Sequence, residues 1–303
     1  MDRRFQLVLF VAALVALGGC SEPDGAAVPS GGPVPPPLRI VSLAPSLTEM
    51  LFALGAGERV VGVTRYCAFP PEVRDIAEVG GHLDPNFEAI VVLDPDLVVL
   101  IPSGEANGAR LEQLGIPVLE IDQHDVGSLL DSVSILAATC GVVENGRRLR
   151  SEMEWRLEEI AAQVAGLSRP RTVVVVGHDI GGGTVRSVWA AGPDTFYDDV
   201  LDSAGGVNAI DSGLVRYPEL SREGLAALDP DVVLDVVAGV DERGAEFGQI
   251  LAAWEGLREL RAVREGRVHV LEGNVMVVPG PRLPEMVGRV ARALHPKLAW
   301  ERP

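Results

Sequence analysis

Two rhythms of apolar and polar positions alternate along this chain. Short apolar runs bounded by turn-forming residues, the pattern of buried strands, are interleaved with stretches whose apolar residues recur three and four apart, the pattern of helices. In the first half the runs at 39–43, 59–63, 96–101 and 117–121 predict strands; in the second half those at 172–176, 231–237 and 267–271 do. A helix is expected between the first two strands, opening at the capping-box spelling Ser46-Leu47-Thr48-Glu49 and closing at Gly55. Such alternation builds parallel βαβ units in each half. Between the halves, ENGRRLRSEMEWRLEEIAAQVAGL (residues 144–167) sets Leu149, Met153, Leu157, Ile160 and Val164 at helical spacing with no proline to break it. It predicts one amphipathic helix of ~35 Å at 1.5 Å per residue. The expected fold is therefore α/β, with two parallel-sheet lobes (38–143 and 168–303) joined by a single stiff helix over 144–167.

One phrase occurs twice. NFEAIVVLDPDLVVL from Asn86 is echoed by SREGLAALDPDVVL from Ser221, 135 positions later. In each copy a capping residue opens a helix with a glutamate in its first turn, Glu88 or Glu223, and Leu-Asp-Pro-Asp ends the helix and launches a strand. Each lobe should contain the same helix-to-strand unit, and two such lobes bridged by a helix enclose a cleft.

The amino terminus follows a different logic. MDRRFQLVLFVAALVALGGC carries two arginines, an apolar run shorter than the ~18 residues of a spanning helix, and then Gly18-Gly19-Cys20. Residues 1–19 read as an export signal, and Leu17-Gly18-Gly19-Cys20 resembles a bacterial lipobox whose cysteine becomes the lipidated first residue. The small, polar, proline-rich segment 20–37 reads as a flexible tether. The protein is thus expected on the extracytoplasmic side, held to a bacterial membrane by its anchor.

A content of 47% hydrophobic but only 5% aromatic residues fits a Val/Leu/Ala core of buried parallel strands. The formal charge is −17, and the signal's Asp2, Arg3 and Arg4 contribute +1, so the chain from Cys20 stands at −18. That excess argues against nucleic acid as a partner and suits docking on basic patches. Cys67 and Cys140, the cysteines beyond the anchor, read as two isolated thiols, with a bridge between them as the alternative.

Five blocks carry a resemblance: RIVSLAPSLTEMLFALGAGERVVGVTRYCAFPPEV, VGGHLDPNFEAIVVLDPDLVV, AGPDTFYDDVLDSAGGVNAI, LSREGLAALDPDVVL and PGPRLP. In this order they resemble the substrate-binding proteins of ABC importers for vitamin B12 and iron complexes (siderophore or haem). The resemblance implies a ligand between two α/β lobes, no cofactor, and as partner a permease dimer with cytoplasmic ATPase subunits. It also implies that Glu88 and Glu223 dock onto arginines of the permease, beside the simpler role of a first-turn carboxylate complementing a helix dipole at ~0.3–1 kcal/mol.

Ligands of open α/β sheets bind outside the carboxyl ends of the strands. That nominates residues 44–46, 64–67, 81–85, 177–189, 216–218 and 273–282, with Ser46, Trp189, Met276 and Arg282 among them. Tyr66, His82 and Tyr217 match positions that face the corrin in the B12 binders. His82 and Tyr217 each lie six residues before a repeated glutamate, so the duplication sets them on opposing walls. The B12 binders have tryptophan at those two places. Histidine and tyrosine instead bring haem in as a contender, with His82, Tyr217 and His178 as iron ligands; otherwise no metal is expected. The plainer readings are a polar loop residue for His82 and a strand-end cap for His178. Arg282 would hold a ligand carboxylate or phosphate, or pair with Glu285 or another acid on the surface. Four arginines in the nominated loops, Arg65, Arg186, Arg216 and Arg282, are few for a strongly anionic iron chelate. The expected ligands are, in order, a corrinoid, haem and a ferric siderophore.

Enzyme signatures are missing. GHDIGGGT lacks the lysine of a phosphate loop, and there is no G-x-S-x-G, no H-E-x-x-H and no cysteine cluster. The chain is read as a binding protein, not an enzyme. An envelope lipoprotein hydrolase, and a receptor module signalling to another membrane protein, are the alternatives.

Overall fold

The computed structural model describes residues 35–300 except 104–105, 212, 214 and 238–243. The signal, Cys20 and nearly all of the tether lie outside the described residues.

The first lobe is a five-stranded parallel sheet in the order β3-β2-β1-β4-β5, with β1 Ile40–Ser42, β2 Val60–Val63, β3 Ala77–Glu78, β4 Leu97–Leu100 and β5 Val118–Glu120. Its helices are α1 Pro45–Ala53, α2 Phe87–Val92, α3 Asn107–Gln113 and α4 Val126–Thr139. The central strands β1 and β4 are wholly buried because both faces of the sheet are covered. Alternate residues divide between two cores: Ile40 and Val99 pack toward α1 and α4, Val41 and Val98 toward α2 and α3.

Helix α5 spans Val143–Val164 and connects the lobes as the pattern predicts. It packs on α4 through Gly146, where an added Cβ would lie 2.3 Å from that of Ala137, so only glycine lets the two backbones approach this closely.

The second lobe departs from the expected all-parallel sheet. Strands β6 Arg171–Gly181, β10 Val232–Val237 and β11 Val268–Glu272 are parallel, but β7 Thr184–Ala190 runs against them and pairs antiparallel with both β6 and the edge strand β9 Glu219–Ser221, in the order β11-β10-β6-β7-β9. The short β8 Val207–Asn208 pairs with the start of β6. The cause is local. GHDIGGGT, expected as a loop after a strand, is the far half of a hairpin whose two-residue turn, Gly182-Gly183, has φ of +63° and +77°. Primed turns match the twist of a two-residue hairpin, and type I′ among them demands positive φ at both positions. The remaining helices are α6 Phe196–Ser203, α7 Arg222–Leu228, α8 Gly244–Glu255, α9 Arg261–Arg264 and α10 Leu283–Leu294.

The duplicated phrase folds into matching units, α2–β4 and α7–β10. Asn86 Oδ1 accepts from Ala89 N at 3.0 Å, and Ser221 Oγ from Gly224 N at 3.2 Å. Asp94 and Asp229 both adopt left-handed backbone, at φ +47° and +38°. The second aspartate of each phrase then reaches the strand beside it: Asp96 accepts from Leu38 N and Arg39 N (2.9 and 3.0 Å), Asp231 from Arg171 N (2.8 Å).

One hydrophobic cluster runs through both lobes without a break, from Ile40, Leu47 and Leu129 past Met153 and Val164 of α5 to Val174, Leu201 and Met286. Separating the lobes would expose that spine to water. The fold therefore resists wide opening.

Candidate functional site

The carboxyl ends of the strands and the first turns of α1, α4, α6 and α10 converge between the lobes. There Gln123 and His124 of the first lobe face Phe196, Tyr197, Arg216, Tyr217, Val277 and Pro279 of the second around a recess of about 240 Å³. This is below the ~300–1,000 Å³ of sites that enclose a drug-sized ligand, so it suits the floor of a larger site. A bigger hollow of about 730 Å³, lined by residues such as Arg267, His269 and Lys297, lies at the amino end of β11, on the wrong side of the sheet for the strand-end loops.

Two expected residues reach this floor. Tyr217, 44% exposed, lines the recess. Ser46 is buried and donates to Gln123 Oε1 at 2.7 Å; Gln123 in turn donates to Ser132 Oγ at 2.8 Å, which fixes the amide beneath the recess. Ser46 does not cap α1, as its spelling predicts: Pro45 is already helical, the extended residue before it is Ala44, and the hydroxyl faces inward.

His82 stands above the end of β1, its Nδ1 3.2 Å from the carbonyl of Leu43, while Asn107 Nδ2 donates to the His82 carbonyl at 3.2 Å. A carbonyl only accepts, so Nδ1 carries a proton, and in the neutral ring the lone pair lies on Nε2. Tyr66 is 55% exposed with the Arg65 guanidinium 4.9 Å from its ring centroid.

Other expectations are corrected. Met276 is fully buried in the core, and its carbonyl accepts from Tyr197 Oη at 2.9 Å, so the apolar wall on this segment comes from its neighbours Val277 and Pro279. Arg282 neither faces an open site nor pairs with Glu285, which binds Arg289; it is locked to Glu49 of α1 by contacts of 2.8 and 2.5 Å. Trp189, 42% exposed on β7, stands over Gly177 and is not among the residues lining the recess. His178 belongs to strand β6, with Nδ1 3.4 Å from the buried Asp235, whose other oxygen accepts from Trp254 Nε1 at 2.7 Å.

Gln123, His124 and Tyr197 belong to the site and were not nominated. For the first two the signal was available: a strand ending at residue 121 places 122–125 at its carboxyl end. His124 is gripped by Asp122 at 2.7 Å and Asp125 at 3.0 Å. Burial drives the Tyr197 phenol well above its ordinary value, and also raises that of Tyr217.

The cationic side chains of the nominated loops are largely committed. Arg65 donates to both carboxylate oxygens of Asp84 at 2.7 Å, Arg216 to the Asp194 carbonyl, and Arg282 to Glu49. Among the described residues no group of three or more His, Cys, Asp or Glu is arranged to hold a metal ion.

On the outer faces, Glu88 and Glu223 are both exposed in the first turns of α2 and α7. Glu223 is held by its own cap, Ser221 Oγ, at 2.9 Å, and hydrogen bonding keeps its carboxyl below the usual range.

Residues 40–275 match the family described as periplasmic binding protein. The chain belongs to this family. It is 27% identical over 261 residues to the vitamin B12-binding protein of Vibrio cholerae, covering 86% of this chain and 90% of that one. To the cobalamin-binding protein of Halobacterium salinarum it is 31% identical over 268 residues, covering 86% and 70%. The periplasmic heme-binding protein BhuT, in complex with two hemes, superposes with a TM-score of 0.74 at 30% identity over 86% of this chain and 99% of that one. Two lobes, the first with a parallel and the second with a mixed sheet, are the architecture of this class.

Proposed function

We propose that this protein, a substrate-binding component of an ABC importer, captures a corrinoid between its lobes and carries it to a permease. The observation that carries the choice is the state of the cleft arginines. Three of the four in the nominated loops are held by acceptors of the protein itself, so they offer little to haem propionates or an anionic ferric chelate. A flat macrocycle with amide side chains asks instead for aromatic and apolar contact with a few neutral polar groups. Tyr66, Tyr217, Val277 and Pro279 supply the former, and Gln123 with His82 the latter. The B12-binding and cobalamin-binding relatives support the same reading. Calorimetric titration of the purified chain tests it: cobalamin should bind more tightly than haemin or a ferric hydroxamate. A reversed order would refute it.

Haem is the second reading, favoured by the orientation of His82. With Nδ1 donating to Leu43, its Nε2 is left as the ring atom able to ligate iron, and metal-bound histidines are held in this way. The likeness to a heme-binding structure supports it as well. On this reading Tyr217 is the further ligand candidate.

Delivery is assigned to Glu88 and Glu223, whose matching positions and exposure on the two lobes suit pairing with cationic pockets on a dimeric partner. The lipid anchor at Cys20, following a signal over residues 1–19 and followed by a tether to residue 37, would hold the protein near that partner. Lobes over 38–143 and 168–303 about the helix at 144–167 complete the proposed organisation. The reading as a binder and not an enzyme rests on the nature of its relatives.

A further inference from the structure

An ion pair between residues 233 positions apart ties the two lobes together. Glu49 sits on the inward face of α1, among Leu47, Met50 and Leu51, with a side chain only 1% exposed. A carboxylate cannot be left unpaired there without a large desolvation cost. Arg282, at the start of α10 in the other lobe, answers it with two parallel contacts: Nε to Oε2 at 2.8 Å and Nη2 to Oε1 at 2.5 Å. The same guanidinium donates to Asn274 Oδ1 at 3.0 Å, from its own lobe, and lies 4.2 Å from the ring centroid of Phe69, from the opposite one. Beside it the loop 279–282 presses directly on α1. An added Cβ on Gly280 would stand 3.6 Å from the Ser46 backbone and 3.4 Å from Glu49 Oε2, ordinary van der Waals distances that show how near the loop lies to α1.

We propose that Glu49 and Arg282 form an inter-lobe clasp that fixes the resting separation of the cleft walls. They position the ligand-facing residues without touching the ligand. The planar fork of arginine makes this a geometric device, since it meets a carboxylate in one orientation only. Burial works against the charged form and holds the Glu49 carboxyl above its ordinary range, with Arg282 pulling the other way. A buried ion pair is a poor source of net stability, so the role given to this one is orientation. A second contact between the lobes is a hydrogen bond from a backbone amide, in which Asp199 of α6 accepts from Val126 N at the start of α4 at 3.0 Å. The clasp also explains why an arginine in a nominated ligand loop is withdrawn from the ligand.

The inference rests on the reading of the cleft as the ligand site, but its first test needs no ligand. Spin labels on ketone-bearing non-natural residues at Gln113 and Arg258, exposed positions in opposite lobes, spare the three native cysteines of the full chain. Electron double resonance then reads the distribution of lobe separations. Glu49→Gln and Arg282→Lys are expected to widen that distribution at least 1.5-fold, and the pair Glu49→Gln with Arg282→Met to widen it no further than the single changes. The milder substitutions keep the test valid if Arg282→Met does not fold. An unchanged width in both single variants overturns the clasp. In a second step cobalamin should bind about tenfold more weakly to the single variants, mainly through faster release. Lost affinity with an unchanged width would place Arg282 on the ligand and also overturn the clasp. A wider distribution combined with no cobalamin binding by the parent chain would uphold the clasp and refute the corrinoid reading.

Discussion

Truncating the exposed aromatics of the cleft should weaken binding by an amount set by how much of each ring a ligand can cover. Tyr66 is 55% exposed and Tyr217 44%. With ~200 Å² for a tyrosine, a macrocycle can remove roughly 110 and 90 Å² from water. At ~25 cal/mol per Å² these areas are worth about 2.7 and 2.2 kcal/mol. Losses of ~100-fold and ~40-fold in affinity are therefore the upper limits for Tyr66→Ala and Tyr217→Ala, because ordering and imperfect desolvation reduce what area alone predicts. The assay is equilibrium titration by tyrosine and tryptophan fluorescence, with urea unfolding as a control. Both residues are surface positions, so stability should change by less than ~0.5 kcal/mol. Tyr217→Phe keeps the ring and removes the hydroxyl. It should retain most of the affinity if the ring acts by contact, and should abolish binding if the phenolate ligates a metal. Wild-type affinity in both alanine variants would refute the reasoning, since it would place the ligand away from these rings.

Other outcomes follow from the same structure. Charge reversal at Glu88 and Glu223 together should abolish ligand delivery to reconstituted permease while leaving the affinity for ligand unchanged; undiminished transport would rule out the docking role. Gly146→Val should destabilise the chain by about 1–3 kcal/mol in urea unfolding, because the new side chain must force α5 away from Ala137. Burial, aided by Arg267, holds the His269 imidazole below its ordinary value of 6.5. The unfolded state therefore takes up this proton first, and the stability involved is present above about pH 6.5 and lost as pH falls through the lower, folded value. His269→Phe should flatten that part of the profile of melting temperature against pH, and an unaltered slope would show that the imidazole is not responsible.

Much of the architecture is written in local chemistry. The Leu-Asp-Pro-Asp phrases announce two equivalent units, and each aspartate then does in one lobe what its counterpart does in the other. Helix α5 is equally plain from its spacing. The hairpin formed by β6 and β7 was hidden because consecutive glycines after a strand fit both a ligand loop and a primed turn; only the pairing of Gly177 with Trp189 decides between them. Ser46 and Glu49 spell a helix cap, yet their partners, Gln123 and Arg282, lie 77 and 233 residues away. No local pattern reveals such pairs. Met276 differs from its expected place because an apolar residue in a loop reads alike whether it lines a cleft or turns into the core.

The most direct measurement offers the protein a choice of ligands. The purified chain, mixed with equal amounts of cobalamin and haemin and then passed over a sizing column, should emerge with the absorption spectrum of one bound corrinoid. Emergence instead with a Soret band that disappears in His82→Ala would contradict the account and make the protein a haem carrier.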